Sequence, residues 1–399
     1  MSEPETISDI VKKPIQPTIM FVATTPFAVN APLANHIAAL SNHYKIVLCT
    51  NLEAYELLPS LFKMAEVCHI PFFRKISPFS DLKCFFKLAV LIRKISPVVV
   101  HSITPKAGLL AMSTAFVNGV PNRWHTFTGQ VWANRMGVSR RLFKGVDWLI
   151  AVLASRVFTD SATQCRLLQE EGIVRRGKVD MLGAGSIAGV DLNRFHPDSA
   201  VNIQQRKRLG ITQNTCIFLF VGRIARDKGV FDLVKAFKNL SMTIPDVELW
   251  LVGPDEEGLV KDLKKLSSGC NAPIRFLGAS HSPEHFMAAS DVLLLPSYRE
   301  GFPVSVLEGA ACGVPSVAYR IYGVLDTIVD GETGVLVEVG QTAELVSAMK
   351  SLVLDKELRL RLGRQAQERA MRDFSNEKVT KAWLDFYLER LSKSNVGCQ

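Results

Sequence analysis

Glu300 and Glu308 stand eight residues apart in the segment Tyr298–Glu308, on either side of a Gly-Phe-Pro turn. Two carboxylates can form the acid/base couple of a glycoside hydrolase, or they can hold different parts of one ligand. The elements around them favour the second use. Val292–Leu295, short, apolar and ended by Pro296, predicts a buried parallel strand. Pro303 suits the first helical position, where a missing N–H costs nothing, and Gly313 followed by Pro315 marks the helix end. Glu300 is therefore expected on the loop and Glu308 inside the helix. Between them, from Gly301 through Phe302, Pro303 and Val304, the first helical amides and the positive end of the helix dipole form an anion site. The order acid, anion site, acid fits a ligand with a diphosphate centre and hydroxyl-rich groups on both sides.

A second segment carries the opposite charge. Phe218–Val221 predicts a buried strand that runs into Gly222 and Arg223, and Lys228 follows just before the next helical pattern. Arg binds phosphate bidentately and Lys as a point charge, so the pair can neutralise a departing diphosphate. Alone, the segment also reads as a solvated basic loop. Beside Glu300–Glu308 it reads as the other half of a site.

Short apolar strands alternate with longer helical stretches throughout the chain. Strands are expected at Ile19–Thr24, Lys45–Cys49, Val98–His101, Asn122–His125, Arg156–Thr159 and Val179–Leu182. The alternation restarts at Cys216–Val221, Glu248–Val252, Ile274–Leu277, Val292–Leu295, Ser316–Ala318 and Gly334–Val337. Such alternation implies an α/β protein with two doubly wound, Rossmann-like parallel sheets, which bind ligands at the carboxyl ends of their strands. The polar stretch after Asn193 sets the division: residues 1–197 form one domain and 198–375 the second. An amphipathic C-terminal helix, with Trp383, Phe386 and Tyr387 on its apolar face, crosses back so that 376–399 pack on the first.

The net charge of +9 is concentrated: residues 51–150 hold 13 Lys/Arg against 5 Asp/Glu. Its segments, within residues 72–94 and 135–144, interleave basic residues with Phe, Leu and Ile, a pattern suited to an anionic membrane surface. The plainer reading is amphipathic helices with solvated basic faces. Nucleic acid is disfavoured because no recognition motif accompanies the charge. The eight cysteines show no C-x-x-C and no Cys/His cluster, which argues against a zinc site and for a reducing compartment. Met1–Thr6 is acidic and unlike a signal peptide, and no apolar run approaches a membrane span of about 20 residues. A cytoplasmic protein, peripheral on the inner membrane face, is expected.

Several runs resemble the retaining glycosyltransferases of the GT-B fold, family 4. They are Val221-Gly-Arg-Ile-Ala-Arg-Asp-Lys-Gly, Val252-Gly-Pro, the Glu300…Glu308 segment through Pro315, Gly323–Val337, and the crossover Ala188–Pro197. Val99–Gly108 and Arg123–Trp132 resemble the bacterial branch that extends polyprenyl-diphosphate-linked saccharides in surface polysaccharide, capsule or lipopolysaccharide assembly. The resemblance implies two domains facing across a cleft, a UDP-sugar as co-substrate carrying an N-acetylhexosamine, and a lipid-diphosphate-linked saccharide as acceptor. Arg223 and Lys228 would hold the diphosphate, with Gly222 and the amides near Phe302–Val304. Glu308 would accept bonds from the ribose, Glu300 would serve the reacting sugar, and His125 would face that sugar from the other domain.

No Asp-x-Asp pair suited to a metal–nucleotide bridge is visible, and two cations stand in for the ion; no cofactor and no metal are expected. The sequence departs from the family after its first strand, where Ala23–Asn30 lacks the usual glycine pair, so no catalytic contact is assigned there. His101 and His125 both end apolar strands, where histidine is commonly structural; only His125 falls in a matching motif. Gly183–Gly189 has the wrong spacing and position for a dinucleotide fingerprint. The closest rival is an epimerase or hydrolase of the same fold that acts on a nucleotide sugar without an acceptor. A membrane adaptor is disfavoured because it has no need of the acid-and-cation site.

Overall fold

The computed structural model describes residues 16–53, 55–73 and 77–395. Met1–Thr6 and, within the basic patch, Arg74 and Lys75 lie outside the described residues, as do 396–399. The seven strands of one sheet are β1 (Thr18–Ala23), β2 (Lys45–Thr50), β3 (Glu66–His69), β4 (Val99–Ile103), β5 (Asn122–Phe127), β6 (Arg156–Thr159) and β7 (Val179–Asp180), in the order β3-β2-β1-β4-β5-β6-β7. The six of the other are β8 (Cys216–Val221), β9 (Val247–Val252), β10 (Ile274–Gly278), β11 (Val292–Leu295), β12 (Ser316–Tyr319) and β13 (Gly334–Val337), in the order β10-β9-β8-β11-β12-β13. The pairings among β3, β2, β1 and β4, that of β6 with β7, and all those of the second sheet are parallel. Both sheets wind outward from their first strand in both directions, as the strand–helix alternation requires.

Burial explains why these runs became strands. Every residue of Ile19–Ala23 and of Ile217–Phe220 is almost wholly buried, as expected where helices cover both faces of a parallel sheet. Between β8 and β9 the helix Val230–Ser241 turns Leu233, Val234, Phe237 and Leu240 inward, a helical spacing that packs on Phe218 and Trp250 in one core.

Expected strands match observed ones within two residues at their ends, with one addition. β3 was not anticipated: its four residues, Glu-Val-Cys-His, lie at the edge of the sheet and none is fully buried. By its contacts the chain falls into two compact units, residues 1–125 with 153–155, and 126–152 with 156–399. Within the second unit, the C-terminal region forms two helices, Lys356–Asp373 and Asn376–Asn395. At their junction Val190 exchanges backbone hydrogen bonds with Phe374 and Asn376, both 2.8 Å. Beyond it, Trp383 and Phe386 pack on Phe158 of β6 at ring separations of 4.9 and 5.0 Å.

Candidate active site

Connections leaving the carboxyl ends of β8, β9 and β11 build the site, with Tyr319 at the end of β12 beside them. After β8, Arg226–Lys228 makes one 3₁₀ turn and Gly229 closes it at φ +66°. A Cβ on Gly229 would lie 1.8 Å from the carbonyl oxygen of Pro296, so only glycine lets this turn sit against the end of β11. That close approach sets the chemistry: the Lys228 Nζ donates to Glu300 Oε1 at 2.6 Å, with the two side chains 16% and 11% exposed.

The same two loops are joined twice more. The Tyr298 amide donates to the Asp227 carbonyl at 2.9 Å, and Asp232 accepts from the hydroxyls of Tyr298 and Tyr319. Arg223 lies between Glu256, at 3.0 Å, and Asp227, at 3.4 Å, and Arg299 reaches Asp227 from the other side at 3.0 Å. Burial works against the Arg223 charge, but Asp227 and Glu256 outweigh it and raise its pKa. Burial likewise opposes the Asp227 charge, and Arg223, Lys228 and Arg299 together still hold that carboxyl below its ordinary range.

Beyond Glu300 the chain passes under a backbone clamp. A Cβ on Gly301 would lie 1.8 Å from the Thr128 carbonyl oxygen, so this position also requires glycine. Phe302 packs on Phe374 at 5.4 Å. The helix then runs Val304–Ala311, with Pro303 as its N-cap at φ −75°, ψ 100°. Pro303 thus precedes the first helical residue instead of occupying it, because its extended ψ turns the chain into the helix one residue later. This helix has no side-chain cap and no acid in its first turn, so its positive end is not neutralised from within.

Glu308 is one turn further on, half-buried on the helix. Desolvation pushes its carboxyl up to about 7, with Arg194 pulling it down and Glu284 pushing it up. Arg194 is itself tied to Glu284 at 2.7 Å. In the other unit, the ring of His125 is 0% exposed, with Nδ1 2.8 Å from the Ser102 hydroxyl. A Cβ on Gly108 would come within 2.5 Å of that ring, so the helix Pro105–Val117 yields its space to the imidazole. Desolvation drops the His125 pKa to about 3, so the ring is neutral. His101 is packed between Phe21 and Trp124 and is a core residue.

The family model of glycosyl transferases group 1 matches residues 201–369, the stretch that holds Arg223, Lys228, Glu300 and Glu308. This stretch is similar to the group 1 glycosyltransferases. Across 82% of the chain and 87% of its own length, the capsular polysaccharide biosynthesis glycosyltransferase CapM of Staphylococcus aureus is 28% identical. An Escherichia coli UDP-Gal:alpha-D-GlcNAc-diphosphoundecaprenol alpha-1,3-galactosyltransferase is 26% identical, over 79% of this chain and 81% of that one. Among solved structures, a sucrose-phosphate synthase from Thermosynechococcus elongatus shares the fold with a TM-score of 0.76 at 20% identity, over 95% of this chain and all of its own. The fold is GT-B, and the chain has relatives in surface polysaccharide biosynthesis.

Within the matched stretch the structure joins Lys228 directly to Glu300, and Arg223 to their loops through Asp227. Asp227, Arg299 and Glu256 were not singled out from sequence. Asp227 and Arg299 each adjoin a residue that was, and their alternating charges are the signal that could have found them.

Proposed function

We propose that this protein is a retaining, metal-independent glycosyltransferase. It moves an N-acetylhexosamine from a UDP-sugar to a polyprenyl-diphosphate-linked saccharide, in capsule or lipopolysaccharide assembly. The observation that carries this reading is the 2.6 Å pair of Lys228 and Glu300 beside an uncapped helix N-terminus. As the bond from the anomeric carbon to the β-phosphate oxygen breaks, negative charge grows on the diphosphate and positive charge on the sugar. Lys228, Arg223 and the amides at Val304 meet the first, and the Glu300 carboxylate meets the second. Two fixed cations supply the charge that a metal ion supplies in other transferases. Glu308 takes the ribose hydroxyls.

The acceptor reading is supported by the E. coli relative, whose name specifies a diphosphoundecaprenol-linked acceptor. Exposed apolar side chains support a membrane-facing role. The helix Pro78–Ile95 buries Cys84, Leu88 and Ile92 and presents Phe79, Leu82, Phe86 and Val90 outward, 86%, 54%, 59% and 68% exposed, beside Lys83 and Lys87. Separately, the helix Gly137–Leu153 exposes Val138, Leu142, Leu149 and Val152. Its basic residues contribute less than their number suggests, because Arg140 and Lys144 both pair with Glu171 at 2.7 Å. No helix among the described residues is long and apolar enough to cross a membrane, and the association proposed is with a surface.

The test is a panel of UDP- and GDP-sugars against synthetic polyprenyl-diphosphate mono- and disaccharides. Transfer from one UDP-sugar to a lipid-linked acceptor, with retained anomeric configuration, supports the reading. Conversion of the nucleotide sugar without acceptor transfers the assignment to an epimerase or hydrolase.

A further inference from the structure

Cys49 and Cys68 face each other across β2 and β3 in the parallel register of those strands. Register partners on neighbouring strands point to the same face, and the strands lie about 4.8 Å apart. Disulfide-linked Cα atoms commonly lie about 4.4–6.8 Å apart, so this pair meets the distance without movement of either strand. As register partners the two thiols act on each other's ionisation. Cys49 is fully buried, whereas Cys68, on the edge strand, is half-buried.

That interaction polarises the pair. It favours the Cys68 thiolate, lowering that pKa to about 7 against the opposing effect of burial, with help from Lys87. It also raises the pKa of Cys49, the partner that keeps its proton, in the same direction as burial. Burial, joined by nearby carboxylates, pushes the thiols of Cys84, Cys165, Cys216 and Cys312 upward. A half-buried, acidified thiol next to a second thiol is the arrangement of a nucleophile and its resolving partner.

We propose that Cys49 and Cys68 form an oxidisable dithiol whose co-reactants are low-molecular-weight disulfides such as glutathione disulfide. The Cys68 thiolate attacks one sulfur of the reagent and expels a glutathione thiolate, leaving a mixed disulfide. Cys49 then loses its proton, attacks Cys68 Sγ and expels the second glutathione. The reagent is reduced to two thiols and the protein is oxidised by two electrons, with a bridge tying the edge strand to its neighbour.

The test incubates the full chain in glutathione buffers of increasing oxidised fraction, followed by acid quench, alkylation and peptide mass spectrometry. The expected result is that Cys49 and Cys68 escape alkylation together, their peptides are joined, and dithiothreitol reverses the change. Cys49→Ala, which keeps a small apolar side chain, traps a stable glutathione adduct on Cys68, and Cys68→Ser leaves Cys49 reduced. Circular dichroism checks that both variants fold, and the wild-type result is decisive by itself. Full alkylation of Cys68 in every buffer, or a lasting wild-type adduct with no joined peptide, overturns the proposal.

Discussion

Glu300→Gln separates the two duties assigned to the loop after β11. In the wild type, Lys228 Nζ sits 2.6 Å from Glu300 Oε1, with both side chains largely shielded from water. Glutamine offers an oxygen of the same size at the same reach, so the contact can persist with its charge removed. The Lys228 ammonium still donates a charge-assisted hydrogen bond to the amide oxygen, so only the attraction between the two charges is lost and the expected stability loss is about 1 kcal/mol. UDP binding should move the other way. Two unit charges 4 Å apart interact by about 1 kcal/mol in water and about 4 near a protein surface. A diphosphate on the far side of Lys228 is further from the carboxylate than that, and removing the repulsion is worth about 1 kcal/mol, or roughly fivefold tighter UDP.

Turnover should fall sharply in the same variant. In the proposed mechanism the carboxylate meets positive charge on the sugar, and removal of one preorganised electrostatic partner costs about 10²–10³ in kcat. Calorimetric titration with UDP and initial rates with the UDP-sugar read the two effects separately. Lys228→Ala is the control with the opposite signature: looser UDP together with lost turnover. Near-wild-type turnover in Glu300→Gln, accompanied by weakened UDP binding, would refute the division of labour.

Gly229→Ala should lower stability by about 2–5 kcal/mol in a thermal melt, since its Cβ meets the Pro296 carbonyl at 1.8 Å and its φ is +66°. Phe79→Ser with Phe86→Ser should abolish flotation with anionic vesicles while leaving the melting temperature unchanged, because both rings are exposed in the fold. Glu308, held near 7 in the fold, keeps its proton there at pH values where the unfolded chain has lost it. The native state therefore binds more protons across that window, and stability falls as pH rises from the ordinary glutamate range to about 7. Glu308→Gln should gain melting temperature relative to wild type at pH 7.5 compared with pH 5; an unchanged difference would contradict the shift. Transfer activity should be unaffected by EDTA, and a chelator-sensitive rate restored by magnesium or manganese would oppose the metal-independent mechanism.

Most of the fold was legible because parallel strands buried on both faces must be apolar along their whole length. Cys216–Val221 and Val292–Leu295 announce themselves in this way, and the structure returns the same bounds. Glu66–His69 carries no such signal: an edge strand is half-covered, so its residues need not be apolar. The helix Pro78–Ile95 shows a different limit. Apolar residues occupy both its buried positions, Cys84, Leu88 and Ile92, and its exposed ones, Phe79, Leu82, Phe86 and Val90, so periodicity alone could not choose the face that meets the sheet.

The site was legible as residue types but not as partnerships. Lys228 and Glu300 are 72 positions apart, and what joins them is the steric permission of Gly229 against Pro296. Glu300 and Glu308, eight positions apart, are by contrast placed in unlike surroundings: one paired with a lysine on a loop, the other desolvated on a helix and pushed towards neutrality. A glycoside-hydrolase couple uses two carboxylates that exchange acid and base duties around one bond. Here one acid is oriented by a lysine on a loop, and the helical acid is pushed towards its neutral form by desolvation. Environment, not spacing, gives the two carboxylates different work, which is why a nucleotide-sugar clamp fits the site better than a hydrolytic dyad.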